Sequence, residues 1–356
     1  MKKILKIGSA FIGIIVGAGF ASGQEVLQYF TSFGLIGTVG AIIATALFAY
    51  LGMTLVRLGS RLQTKSHREA VYKISGHYLL GIIVDYIIIF TLFGVGVVMI
   101  AGAGSTLEQQ FGLPSLIGTI LMTILVILTI MMNVDRVVAV IGSITPFLIL
   151  GVIIVSIYSL LSMDASFSSL EPTAKEQPSA LPNWFISGIN YVSFNIAVGA
   201  SMSLVMGGAE RDEKTAKIGG LVGGLGLGIL IILSHLAIYS KIEIVRNFDM
   251  PMLKIVDDIS PVLGVVYSLI LFGMIFNTAV SMFFAFGARF TEIGSNKYKM
   301  FVIITMIIAF AASFVGFTDL VAFFYPLIGY LGLFLIVALV YASIKMPSAK
   351  KEKESS

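Results

Sequence analysis

Cysteine is absent from this 356-residue chain, which excludes disulfide frameworks and thiolate metal sites. Histidine is nearly as scarce: His67, His77 and His235 are too scattered to suggest a metal cluster. Charged residues make up only 12% of the composition, and no phosphate-cradling loop, nucleophile elbow or zinc-protease signature occurs. The missing ATP-binding motif argues against a primary pump. An intramembrane enzyme would need a catalytic pair or metal set, and the scattered His and Asp residues supply neither. No enzymatic activity and no organic cofactor are expected.

The chain is instead 57% hydrophobic, with a mean hydropathy of +1.00. A soluble domain could not hide that much apolar surface, so the solvent must be largely lipid. A pI near 9.1 would fit a nucleic-acid partner, but the positive charge is distributed as a topology signal and no nucleic acid is expected.

Apolar stretches of about 20 residues predict ten membrane spans, at 5–30, 34–57, 79–105, 113–132, 137–162, 185–207, 217–240, 261–287, 300–316 and 319–345. Met1-Lys2-Lys3 and the following apolar run resemble a secretory signal peptide, with Gly19-Phe20-Ala21 as a cleavage site. The run continues to Phe30, long enough to span, so a retained first helix is expected. Counting Lys and Arg in alternate loops gives 19 on one side and 4 on the other. The positive-inside rule then puts both termini in the cytoplasm. An even number of spans satisfies this.

The segment Ser162–Asn183 reads as a surface loop, and Ile242–Ser260 as a short helical cap over the outer face. The expected organisation is one transmembrane domain over 1–346, followed by a disordered cytoplasmic tail, 347–356. The 162–183 loop divides ten spans into five plus five, with repeats at 4–162 and 185–346. Five is odd, so the halves enter the membrane from opposite sides, an inverted repeat of the kind many secondary transporters use.

The first span contains the material for its own interruption: Val16-Gly17-Ala18-Gly19-Phe20-Ala21-Ser22-Gly23, followed by Gln24-Glu25. Glycine inside a helix costs about 1 kcal/mol relative to alanine. Broken helices persist in lipid only where they line a cavity, because unpaired backbone there costs several kcal/mol. The topologically equivalent sixth span repeats Val-Gly-Ala at Val198-Gly199-Ala200, an offset of 182 residues. Two interrupted helices would present free N–H groups to a carboxylate and free carbonyls to Na⁺ or an ammonium group. Gly17, Ala18, Gly19, Phe20, Ser22 and Gly23 are the candidate substrate residues of span one. Ser193, Phe194, Asn195 and Gly199 are those of span six, with Tyr191 placed to cover a ligand. The competing reading makes these glycines and serines close-packing contacts between helices.

Glu25 is a candidate coupling or gating residue, because an intramembrane carboxylate usually marks a pathway. Asp85 lies about 10 Å inside the third span at 1.5 Å per residue, and suits a gate or an ion pair with a basic residue. His235 suits a satisfied interfacial histidine. In span eight Thr278 and Ser281 share a helix face and offer hard oxygen ligands for Na⁺, unless both bond back to their own helix. Gly220, Gly224 and Gly228 read as a packing face, and Pro326 as a kink in span ten.

The run IGIIVGAGFASGQEVLQYF, residues 12–30, resembles the opening of the YkvI-type bacterial membrane proteins. More distantly it resembles the amino acid–polyamine–organocation superfamily and the sodium-coupled leucine transporter (the LeuT-like fold). That resemblance implies an all-α polytopic protein of two inverted five-helix repeats, with helices one and six unwound around the substrate. It also implies that the Gly13 and Val16 carbonyls face a sodium site completed by Thr278 and Ser281. The sodium-coupled neurotransmitter-type members follow their Gly-x-Gly with Asn and later Arg-Phe-Pro; this chain has Phe20 and Ser22-Gly23-Gln24-Glu25 instead. The outer gate and the coupling ion are therefore open. The function expected is a secondary active transporter for an amino acid or related amine, by Na⁺ or H⁺ symport. The alternative is a membrane-embedded ligand sensor of the same fold.

Overall fold

The structure, a computed structural model, describes residues 1–63, 78–132 and 145–345. The expected tail 347–356, His67 and His77 lie outside the described residues. Among those described, every regular element is helical.

Span one is three pieces: α1 (Lys2–Ile15), α2 (Ala18–Ser22) and α3 (Gln24–Tyr29). Val16 and Gly17 between the first two are extended, with ψ of 94° and −175°. Gly23 then turns the chain at φ 85°, a left-handed conformation that glycine adopts without a Cβ penalty. The other long apolar helices are α4 (Leu35–Leu62), α5 (Tyr78–Phe111), α6 (Ser115–Met131), α7 (Thr145–Leu161), α9 (Trp184–Gly208), α10 (Glu213–Ser240), α13 (Pro261–Phe290), α14 (Asn296–Ser313) and α15 (Phe317–Lys345). Seven of these are long and apolar enough to cross a membrane, and two apolar helices are shorter. Residues such as Leu269, Ile307 and Val337, each more than 60% exposed, turn outward, as a lipid-facing surface requires.

Helix starts are chemically marked. Asn183 Oδ1 accepts from the Phe185 and Ile186 amides at the head of α9, and Asp212 accepts from Lys214 and Thr215 at the head of α10. Both are N-caps that satisfy orphan donors. Pro261 opens α13, where its missing N–H is harmless.

Two expectations need correction. Span six is not broken: α9 runs without interruption from Trp184 to Gly208. Gly199 is used for packing, since a Cβ there would stand 2.3 Å from Ile15 Cδ1. The loop 162–183 is also not simply a loop. It holds α8 (Phe167–Lys175), capped by Ser166 and anchored by buried Leu170 and Ala174. The cap foreseen at 242–260 consists of α11 (Ile242–Val245) and α12 (Pro251–Ile259).

Glycines set which helices pack most closely. α10 carries two faces. A Cβ at Gly220 or Gly224 would stand 2.3 or 2.2 Å from the Gly52 or Phe48 carbonyl of α4, and one at Gly223 would stand 2.9 Å from the Gly8 carbonyl of α1. α9 approaches α4 as closely: a Cβ at Gly207 would meet the Val56 carbonyl at 2.3 Å, and one at Gly188 would meet the Gly40 carbonyl at 2.8 Å. Small residues permit this backbone contact, so α1, α4, α9 and α10 form one tightly packed group. A second group joins α5, α6 and α13. Gly118 of α6 meets the Ala103 carbonyl of α5, Gly96 of α5 meets the Phe283 ring of α13, and Asp85 of α5 pairs with Arg289 of α13.

Candidate functional site

Between the two groups lies a cavity of about 710 Å³, centred on the break in span one. Its wall includes Gly13, Val16, Gly17, Ala18, Gly19 and Glu25 from span one, Phe194 and Asn195 from α9, and Asn277, Thr278 and Ser281 from α13. It extends along Ser9 and Ala10 of α1 and past Met202 of α9. That direction is the N-terminal end of the bundle, where Lys3 pairs with Glu210 just beyond α9. At the opposite end Tyr191 is packed between Tyr29, Phe30 and Phe48, with ring centroids 5.1, 5.0 and 6.1 Å away. Above them α12 lowers Met252 onto Gly23, and the α13 residue Tyr267 donates to the Ala21 carbonyl at 2.7 Å. The cavity is therefore open at one end and plugged at the other.

The break supplies acceptors. The main-chain ladder passes from Val16 N donating to Ile12 O, at 2.7 Å, to Ala21 N donating to Gly17 O, at 3.1 Å. The Gly13 and Val16 carbonyls between these bonds receive no main-chain donor across the break. Facing the same cavity, the Thr278 and Ser281 hydroxyls make no hydrogen bond to protein among the described residues. Thr91, Thr106 and Thr123, by contrast, bond back to carbonyls of their own helices, the ordinary fate of a helical threonine. Asn277 Oδ1 is buried without a partner among the described residues. A cluster of unused oxygens of this kind suits a hard cation.

Glu25 is 4% exposed, yet its carboxylate lines the cavity. It folds back onto Gly19, where a Cβ would stand 1.8 Å from Oε1 and 3.1 Å from the Tyr325 hydroxyl. Its other oxygen, Oε2, accepts from the Tyr191 hydroxyl at 3.2 Å. Tyr325 in turn stacks on Phe194, with centroids 4.1 Å apart and planes at 18°.

The remaining expected site residues lie elsewhere. Ser22 donates to the Gly19 carbonyl at 2.7 Å and accepts from the Gln24 amide, which fixes the turn rather than a ligand. Phe20 is buried in the core, and Gly23 is the left-handed joint beneath α12. Ser193 donates to the Gly329 carbonyl at 2.6 Å and so ties α9 to α15. Neighbouring Asn190 donates to the Pro326 carbonyl of α15 at 3.0 Å. Tyr191 reaches the site only through Glu25. Asp85 pairs with Arg289, outside the cavity wall. His235 is held on both ring nitrogens, by Thr31 at 3.0 Å and Thr38 at 2.9 Å, which leaves it saturated. Tyr325 was not foreseen as a site residue; its only signal was a hydroxyl beside Pro326 in an apolar run.

No family model matches the chain. It is 28% identical over 335 residues, 94% of both chains, to "Uncharacterized membrane protein YkvI" of Bacillus subtilis (strain 168). Among solved structures, MhsT in complex with L-phenylalanine is similar over 98% of this chain and 93% of its own, at 16% identity and a TM-score of 0.59. A manganese transporter of Eremococcus coleocola is similar over 95% of this chain and 77% of its own, at 14% identity and a TM-score of 0.58. The resemblance read from the first span thus extends over nearly the whole chain, and the fold is of the LeuT-like kind.

Proposed function

We propose that this protein is a secondary transporter that moves a small polar solute, an amino acid or related amine, through the cavity at the break in span one. The broken span, the seven long apolar helices and the two shorter ones make ten spans. These form one transmembrane domain of two inverted five-helix repeats, with both termini in the cytoplasm. The cavity then opens to the cytoplasm, and Tyr191, Tyr29, Phe30 and Phe48 close the outer side. Alternating access is a displacement of α1, α4, α9 and α10 against α5, α6 and α13. The glycine-packed interfaces support this, because each group is closely packed internally, the first by backbone contact and the second by backbone, ring and ion-pair contacts, and the cavity occupies the seam between them. A gradient of Na⁺ or H⁺ drives the cycle: Gly13, Val16, Thr278 and Ser281 are the cation ligands, and Glu25 is the titratable group of the site.

The observation that carries this reading is the cavity itself. It is closed at one end, open at the other, and lined at its closed end by unpaired backbone and a buried carboxylate. Soluble substrate contacts come from the Gly17–Gly19 backbone, Phe194 and Asn195. The similarity to a manganese transporter and to MhsT, solved in complex with L-phenylalanine, supports the mode of action without choosing the substrate.

Because the chain has no cysteine, single-cysteine accessibility tests this directly. Val198→Cys, on the cavity wall but outside the proposed ligand set, is expected to react with a membrane-impermeant thiol reagent from the cytoplasmic side at rest, and from the opposite side during turnover. Labelling from one side under every ligand and ion condition would contradict alternating access and assign the protein to the sensor class.

A further inference from the structure

Glu25 is the one carboxylate on the cavity wall, and the described wall carries no Lys, Arg or His. No basic side chain among the described residues pairs with it. The groups facing it are all neutral phenols: Tyr191 from α9, which donates to it, Tyr325 from α15 and Tyr29 from its own helix. α13 and α5 present Asn277, Thr278, Ser281, Val95 and Met99 to the cavity. Of the charged groups of α12, Lys254 pairs with Asp257, Asp257 accepts from Gln110, and Asp258 lines a separate cavity with Asp164 and Lys241. On α10 His235 is held by Thr31 and Thr38. The site is deliberate in its construction, since only glycine at position 19 leaves room for the carboxylate.

An uncompensated carboxylate cannot cross a low-dielectric interior cheaply; the penalty is several kcal/mol. Whatever occupies the two oxygens must therefore supply a positive charge. The stacked Phe194 and Tyr325 rings, with Met99 and Met274, provide an apolar wall beside it. A ligand carboxylate, by contrast, would find no basic partner there.

We propose that Glu25 is the shared site of a primary organic ammonium ion and a proton, so that the protein exchanges one for the other. This rests on the transporter reading above and replaces the expected proton symport with antiport. As the ammonium reaches Glu25, the carboxyl O–H bond breaks and its proton leaves to water on the open side. No carbon bond changes. One positive charge enters and one leaves, so the exchange is electroneutral. The neutral, protonated site then returns across the membrane. An amine without a carboxylate is preferred over the matching amino acid.

The test uses the purified full chain in sodium-free potassium buffer, with 2-phenylethylamine and L-phenylalanine as probes. Isothermal titration calorimetry in two buffers of different ionisation enthalpy counts the protons released on binding. The amine is expected to bind more tightly than L-phenylalanine, releasing close to one proton when bound at acid pH. Its apparent dissociation constant should rise about tenfold for each pH unit below the titration of Glu25. Glu25→Gln should weaken binding by about 10- to 100-fold and abolish the proton release. Tyr191→Phe, which keeps the carboxylate, should retain it. The proton count on the unmodified chain stands even where a variant fails to fold. Amine binding without proton release, preference for L-phenylalanine, competition by added Na⁺ that Glu25→Gln removes, or no amine binding would each overturn the exchange. The transporter reading fails on different evidence, the absence of gradient-driven accumulation, whatever the proton count.

Discussion

Exchanging Gly19 for alanine separates the carboxylate's position from the stability of the fold. The added methyl would stand 1.8 Å from Glu25 Oε1 and 2.8 Å from its Cδ, so the carboxylate must move. The obstructing atoms are the tip of a flexible side chain, and the helix itself can stay in place. Where Glu25 is ionised, moving the tip forfeits the Tyr191 hydrogen bond, which as a bond to a charged acceptor is worth about 1.5–3 kcal/mol. Alanine in place of glycine within α2 returns about 1 kcal/mol of helix propensity. The net destabilisation expected is therefore only about 1 kcal/mol, while ligand affinity should fall about tenfold or more, as 1.4 kcal/mol per decade implies. Gly151→Ala, in α7 and off the cavity wall, is the matched control. Its nearest neighbour would be Tyr267 Cε2 at 3.9 Å, an ordinary contact. Thermal denaturation and calorimetric binding on both variants decide the matter. Normal binding by Gly19→Ala, or equal impairment by Gly151→Ala, would refute the placement of Glu25 in the site.

Three further outcomes are expected. Thr278→Ala and Ser281→Ala should abolish thermal stabilisation by Na⁺ while leaving the melting point in potassium nearly unchanged, because neither hydroxyl has a protein partner to lose; a protein indifferent to Na⁺ would remove the cation site. Arg289→Ala strands Asp85, which is 24% exposed in the pair, and should cost about 1–3 kcal/mol, with Asp85→Asn in the same chain recovering part of it in a double-mutant cycle. Lys175, Tyr239 and the Leu35 amide hold the Glu171 carboxyl of α8 below its ordinary value of 4.5. A depressed carboxylate contributes stability that is complete above its unfolded value and is lost as pH falls through the folded one. The protection of Leu35 and α8 against hydrogen exchange, relative to the intrinsic rate at each pH, should therefore fall as pH drops below the ordinary value of 4.5 in the native chain, and should be reduced already at neutral pH in Glu171→Gln.

The all-helical, membrane-spanning character was legible because lipid imposes long apolar runs and leaves polar groups few places to stand. The break at Val16–Gly17 was legible for the same reason: three glycines next to a carboxylate have no use in a lipid-facing helix. The identical Val-Gly-Ala of α9 misled, because a tripeptide does not record what lies opposite it. Gly199 faces Ile15 at the rim of the break, and its lack of a side chain is used for contact, so the helix stays whole. Ser22 and Ser193 misled likewise, since a serine in an apolar helix looks available until the carbonyl it reaches is seen. Tyr325 could not be found at all from its neighbours in the chain. It becomes a site residue only through its contact with Phe194 and its approach to Gly19, both far away in sequence. α8 was missed because its nine residues mix Ser, Pro and Glu, and its helical form depends on the Ser166 cap and on Leu170 and Ala174 being buried.

Accumulation in sealed proteoliposomes tests the central claim most directly. With the purified chain reconstituted, radiolabelled 2-phenylethylamine and L-phenylalanine are supplied outside under an imposed Na⁺ or proton gradient, and protein-free vesicles give the passive leak. Uptake of a probe above its equilibrium level and above the leak, collapsing when an ionophore dissipates the gradient and absent in Gly19→Leu, is the result predicted. Saturable binding with no accumulation under either gradient would contradict it.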